Sequence, residues 1–166
     1  SADIRPDDLL GRPVTVNVEL PDGAMRHFSG YVARFGIGRA QGRHFGYLAT
    51  VRPWLWFLTR TTDCRIFQDQ SVPDIVKAIF ADHEAIAKFE FKLFRTYRTR
   101  TYCVQYRESD FHFVARLLED EGIYWYFEHA EGEHKLVLVD DLGVHGVAEG
   151  CEELPYYANA GQVPPD

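Results

Sequence analysis

The sequence predicts an α+β fold, mainly β, made of antiparallel barrel-like β-domains with two amphipathic helices. Three observations lead there. Aromatic residues make up 14% of the 166 residues and fall mostly inside short runs of alternating polarity, as suits pleated strands better than a helical bundle. Only two stretches, one entered at Ser71 and one at Ser109, carry apolar residues at helical spacing. Turn chemistry such as Pro21-Asp22-Gly23 separates the strand-like runs.

Val14, Val16, Val18 and Leu20 alternate with Thr15, Asn17 and Glu19, which predicts a half-buried first strand. Met25 to Phe35 is its return, and Gly30 within it marks a bulge or a close backbone approach. A glycine-studded loop from Gly36 to Gly42 leads to a third strand, His44 to Val51. These strands read as an antiparallel meander, one side of a small barrel. Pro53 to Leu58 packs Trp54, Trp56 and Phe57 into four residues, so it is a core plug or an interface.

Ser71-x-x-Asp74 resembles a capping box with a shorter acid, and Ile75, Val76, Ile79 and Phe80 give the helix after it a buried stripe. Phe89, Phe91 and Leu93 alternate with polar neighbours as another strand, and Arg95 to Arg100 is a polar connection. In the next strand Tyr102, Val104 and Tyr106 alternate with Cys103, Gln105 and Arg107. Ser109 is placed as an N-cap, with Asp110 suited to the positive end of the helix dipole. Phe111, Val114, Leu117 and Leu118 form the apolar face of this helix, while Arg116, Glu119 and Asp120 face water. Gly122 ends it, Ile123 to His129 is aromatic-rich strand, Ala130-Glu131-Gly132-Glu133 is a turn, and Lys135 to Val139 returns.

Two blocks of this text are recognisable. Gln105-Tyr106-x-Glu108-Ser109, Phe113, Arg116-Leu117-Leu118-Glu119, Gly122-Ile123 and Tyr124-x-Tyr126-Phe127 form one. Pro53-Trp54-Leu55, with Arg65 and Phe67 further on, form the other. In order and spacing they resemble VgrG proteins, the spike of the bacterial type VI secretion system, in the part similar to a phage baseplate hub and to late control D-like proteins. The resemblance implies a hub-like fold and a mechanical role. Three copies would form a pseudo-sixfold ring that seats on the Hcp tube, with baseplate proteins and effectors as further partners. It implies assembly in the bacterial cytoplasm followed by secretion through the machine, no cofactor, and signature residues that hold the fold. A phage or tailocin hub is the alternative within this class.

The remaining sequence bounds other classes. A net charge of −7 argues against a nucleic-acid binder, the nearest basic cluster being Arg34, Arg39 and Arg43. Cys64, Cys103 and Cys151 lack metal spacing, and Cys64 and Cys103 read as buried reduced thiols. No apolar run reaches membrane-spanning length. No zinc-protease, nucleophile-elbow, phosphate-loop or dinucleotide motif occurs, so the chain does not read as an enzyme.

Asp82-His83-Glu84 reads as a solvated helix end, and His129 and His134 as exposed turn histidines, with metal capture beside Glu133 as the alternative. Arg116 and Asp120, at i and i+4, suggest a helix ion pair, and Glu108 an architectural contact to a backbone N–H or an arginine. Outside the hub class, Trp54, Trp56, Tyr124 and Trp125 can be read as stacking platforms of a ligand- or glycan-binding β-barrel. The expected organisation is a meander over 1–60, a helix-containing subdomain over 61–141 and a linker over 142–166, in a chain that reads as part of something longer.

Overall fold

The computed structural model describes residues 4–41 and 44–146. Gly42, Arg43, Cys151 and nearly all of the expected linker lie outside them. A short helix α1 (Pro6–Leu9) precedes β1 (Pro13–Glu19), β2 (Met25–Gln41) and β3 (His44–Arg52), an antiparallel meander in that order. A 3-10 turn at Trp54–Thr59 leads to β4 (Thr62–Phe67), α2 (Val72–Ala81) and β5 (Phe89–Lys92). The chain continues through β6 (Cys103–Ser109), α3 (Asp110–Asp120), β7 (Tyr124–Ala130) and β8 (Glu133–Val139). β4 and β6 make a two-stranded ribbon, and the third sheet has the order β5-β8-β7. All three sheets are open among the described residues.

Both helices begin as their sequences require. Ser71 accepts a hydrogen bond from the Asp74 N–H at 3.4 Å, and Ser109 accepts one from the His112 N–H at 3.2 Å. Their apolar stripes meet the 3-10 turn and the inner face of β8 in one core. Trp54 stands edge-on to Phe80 at 5.0 Å, Phe80 reaches Phe89 at 5.0 Å, and Phe113 stacks on Phe67 at 5.7 Å. Trp54, Leu55 and Leu58 are buried, whereas Trp56 and Phe57 are half-buried, so the Pro53–Leu58 knot is chiefly a core plug.

Four local expectations are corrected. The first strand is not half-buried: Val16 and Val18 are exposed, and it is the Thr15 and Ser29 side that docks on the β7–β8 hairpin. The Gly36–Gly42 run is not a loop as far as it is described. β2 extends through it to Gln41, with pairing shifts between Val32 and Arg34 and between Ile37 and Ala40. Cys64 is exposed, because the β4–β6 ribbon turns that face outward; Cys103 is buried. β5 pairs with β8 in parallel, since the chain makes a long crossover through β6 and α3 before returning beside it.

Gly30 answers to close approach rather than a bulge, as a Cβ there would lie 2.7 Å from the Arg52 carbonyl oxygen. Gly122 has φ +67°, and an added Cβ would meet the Arg95 guanidinium at 3.4 Å. Gly122→Val is therefore expected to lower stability by about 1 kcal/mol or more. Denaturant unfolding checks this, and an unchanged midpoint would refute it.

Candidate functional site

Asp110, the first residue of α3, is 1% exposed and holds several elements at once. Its carboxylate accepts from Gln105 Nε2 at 2.7 Å and from Thr61 Oγ1 at 2.7 Å, and Arg65 Nη2 lies 3.4 Å away. Arg65 also donates to Asp63 at 2.7 Å and to Asp82 at 2.5 Å. His83 Nε2 sits 3.9 Å from Asp110. The end of α2 is thus not a free solvated turn: Asp82 is tied to β4 and His83 is half-buried, while Glu84 is exposed. One guanidinium among three carboxylates is charge compensation, with each acid committed to a structural partner.

A second set of ions locks α3 from its outer side. Glu108 takes both Nε and Nη2 of Arg116, the latter at 2.7 Å, and Arg116 also donates to the Val104 carbonyl at 2.9 Å. The expected Arg116–Asp120 pair does not form, because Arg116 reaches back to β6. Asp120 and Glu121 instead hold Arg100, Glu121 at 2.7 Å. Arg95 donates to the Glu121 and Gly122 carbonyls at 2.8 and 3.2 Å, satisfying the C-terminal end of α3.

Asp140 accepts from the N–H groups of Phe94 and Arg95, from Arg95 Nε and from the Tyr97 hydroxyl at 2.7 Å. Burial alone raises its carboxyl, but these donors outweigh burial and bring it down to about 2.

His129 and His134 do meet across the hairpin, with ring centroids 5.9 Å apart. Only one of them is exposed as expected: His129 is exposed, whereas His134 is buried under the Trp54 backbone. Their nitrogens do not converge on an ion. His134 Nε2 accepts from the Trp54 N–H at 2.8 Å and His129 Nδ1 from the Ser29 N–H at 3.1 Å. Among the described residues no cluster of His, Cys, Asp and Glu is placed to hold a metal, and no helix is long and apolar enough to cross a membrane. The aromatic platform reading also loses its geometry. Trp54 is buried with Nε1 donating to the Lys88 carbonyl at 3.0 Å, and Trp125, half-buried, packs edge-on against Phe111 at the margin of the core.

The signature residues divide by place. Gln105, Phe113, Leu117, Ile123, Trp54, Leu55 and Phe67 are in or against the core. Glu108, Ser109, Arg116, Gly122 and Arg65 cap or clamp α3, and Pro53 starts the 3-10 turn. Tyr124 bonds His145 at 2.8 Å, Tyr126 packs on the same ring at 5.0 Å, Phe127 lies beside His134, and Glu119 is exposed. Tyr106 stands apart, on an outward apolar strip with Tyr102, Val104 and Ile66, in which Tyr106 and Ile66 are 64% and 60% exposed. Arg107 is the extra residue of a bulge there, at φ 51°, with its guanidinium over the Tyr106 ring. Asp110, Arg95, Arg100 and Asp140 were not foreseen as clamps, since their partners are distant in sequence.

The phage tail baseplate hub (GPD) family model matches residues 1–165. The chain belongs to this family. Hub-family relatives include the type VI secretion system spike proteins VgrG1c and VgrG1a of Pseudomonas aeruginosa, 52% and 50% identical over 151 residues, each covering 91% of this chain. VgrG3 of Vibrio cholerae is 34% identical over 143 residues, or 86% of the chain. This hub chain spans about a fifth of the length of the Pseudomonas relatives. A similar solved structure is the E. coli c3393 protein, described as a component of the type VI secretion system with structural similarity to the T4 bacteriophage tail proteins gp27 and gp5. It superposes with a TM-score of 0.74 at 27% identity, over 84% of this chain and 39% of that one.

Two outcomes are expected of the clamps. Asp110→Ala should cost about 1–3 kcal/mol, because the fully buried Gln105 amide loses its acceptor; a urea midpoint within error of the parent would refute it. Asp140, lowered in the folded chain, contributes stability that is complete above its ordinary value of 3.8 and is lost as pH falls toward about 2. Acid unfolding of Asp140→Asn should lack that portion of the pH dependence.

Proposed function

We propose that this chain is the hub portion of a VgrG-type spike, a structural part of a contractile injection machine rather than an enzyme. The observation that carries the reading is the outward apolar strip of the β4–β6 ribbon, on a chain that belongs to the hub family. A catalyst needs uncommitted acids, bases or nucleophiles that converge, and the buried carboxylates described above each hold a donor of the fold. An assembly part needs a rigid body and apolar faces left for neighbours.

In this reading the meander of residues 1–60 and the helix-containing part of 61–141 are two halves of one hub, followed by a linker over 142–166. Three copies form the ring that seats on the Hcp tube, and baseplate proteins and effectors are its other partners. The protein assembles in the bacterial cytoplasm and leaves through the machine. Core and clamp members of the signature hold the fold, while Tyr106 serves contacts within the assembly. The VgrG names of the relatives favour a secretion spike over a phage or tailocin hub.

The test exchanges this chain for the matching segment of VgrG1c. The chimaera is expected to sediment as a trimer. Ile66→Asp with Tyr106→Asp should weaken that trimer, yet leave the stability of the separate chain within about 0.5 kcal/mol, as surface changes do. A chimaera that is folded by circular dichroism but monomeric would overturn the reading.

A further inference from the structure

The meander and the turn that follows it are fastened to the β7–β8 hairpin by backbone N–H groups that end on histidine nitrogens. Trp54, just after β3, donates to His134 Nε2 at 2.8 Å, and Ser29 of β2 donates to His129 Nδ1 at 3.1 Å. An imidazole nitrogen accepts a hydrogen bond only while it carries no proton. The two rings are cross-strand partners and stack at 5.9 Å, so a proton added to either stands against the other. We infer that His129 and His134 form an acid-sensitive latch, closed while both rings are neutral and opened when they are protonated, which loosens the meander's hold on the hairpin and leaves it to the bonds from Ser29 Oγ to the Ala130 carbonyl and from the Gly132 N–H to Thr15 Oγ1.

The surroundings favour the neutral ring of His134. Tyr31 of β2 packs edge-on to His134 at 5.8 Å, and Arg26 and His27 of the same strand share a hollow with His129. Lys88, ahead of β5, and Glu133 of β8 border His134, while Glu128 and Lys135 border His129. Both carboxylates are already taken, Glu133 by Lys88 and Glu128 by Lys92 and Lys135. An imidazolium would gain no unpaired anion among these neighbours and would have Lys88 beside it. Burial first, then His129 and Lys88, hold the His134 imidazole below its ordinary value.

The sign of the effect follows. With the closed form binding fewer protons than the open one, the latch is complete above 6.5. It weakens as pH falls from there toward the lowered value and levels off below it. Each unit of lowering reduces the closed-to-open ratio about tenfold across that window. A cleft of about 220 Å³ bounded by Ser29, Tyr31, Lys88, Glu133 and His134 has room for water to bring the proton to the buried ring. Asp140, at about 2, titrates far outside this range and does not obscure it.

Hydrogen exchange tests the latch directly. After correction for intrinsic rates, the Ser29 and Trp54 amides of the unaltered chain are expected to exchange faster at roughly pH 5 than at roughly pH 7.5. In His134→Gln with His129→Gln, where side-chain amide oxygens accept without titrating, that acceleration should vanish. Equal corrected rates at both pH values, or the same acid loosening in the variant, would overturn the proposal. Should the variant fail to fold, the ring C–H signals of the unaltered chain decide it by NMR. Titration of His134 below 6.5, together with shifts of the Ser29 and Trp54 amides, supports the latch; titration at or above 6.5 sinks it.

Discussion

The buried Asp110 carboxylate is the point from which the helix-containing half is organised. It lies at the start of α3, where the free N–H groups and the helix dipole favour negative charge. It also reaches Thr61 before β4, Gln105 in β6 and, through Arg65, the end of α2. Three stretches of chain, around Thr61 to Arg65, at Asp82 and from Gln105 to Asp110, therefore share one charge. The apolar core around Trp54, Phe80 and Phe113 supplies the larger share of burial, but a core alone leaves the direction of each element loosely specified. Directional bonds to a carboxylate that has left water fix it.

Much of this was legible because it is local. Ser71 and Ser109 cap their helices, Ile75, Val76, Ile79 and Phe80 form the buried stripe of α2, and Gly122 takes the positive φ that ends α3. Each of those depends on a few neighbouring residues. What could not be read is non-local. Arg116 has Asp120 four residues on, yet its partner is Glu108 on the preceding strand, because the bulge at Arg107 brings that strand end under the helix. Asp140 ends β8 without any local hint that the Phe94–Tyr97 segment will wrap it. His134 sits beside turn residues and reads as solvent-exposed, since no pattern in the hairpin announces that the Trp54 N–H will come to it.

The strands show a further reason why alternation is an incomplete guide. In β1 and in the β4–β6 ribbon polar residues of the alternation face the protein, in the ribbon beside Phe67 and Cys103, and much of the apolar side faces out. Thr15, Ser29 and Gln105 make inward hydrogen bonds, while Val16, Val18, Ile66 and Tyr106 are exposed. Alternation predicts two unlike faces correctly but does not say which is buried. For a chain that works as one piece of an assembly, the apolar side need not be the inner one.

The parallel pairing of β5 with β8 has a consequence for how the chain reaches this structure. Phe89 lies beside Leu136 and Phe91 beside Leu138, with β6, all of α3 and β7 between them in sequence. Closing so long a loop costs chain entropy before any contact rewards it. On the ribosome, β5 emerges with no strand to pair with until β8 has been made. Its phenylalanines wait against α2, where Phe89 meets Phe80. The order of synthesis thus makes the hairpin the last component of the core, and both edges of β5 stay unpaired until β8 covers one of them.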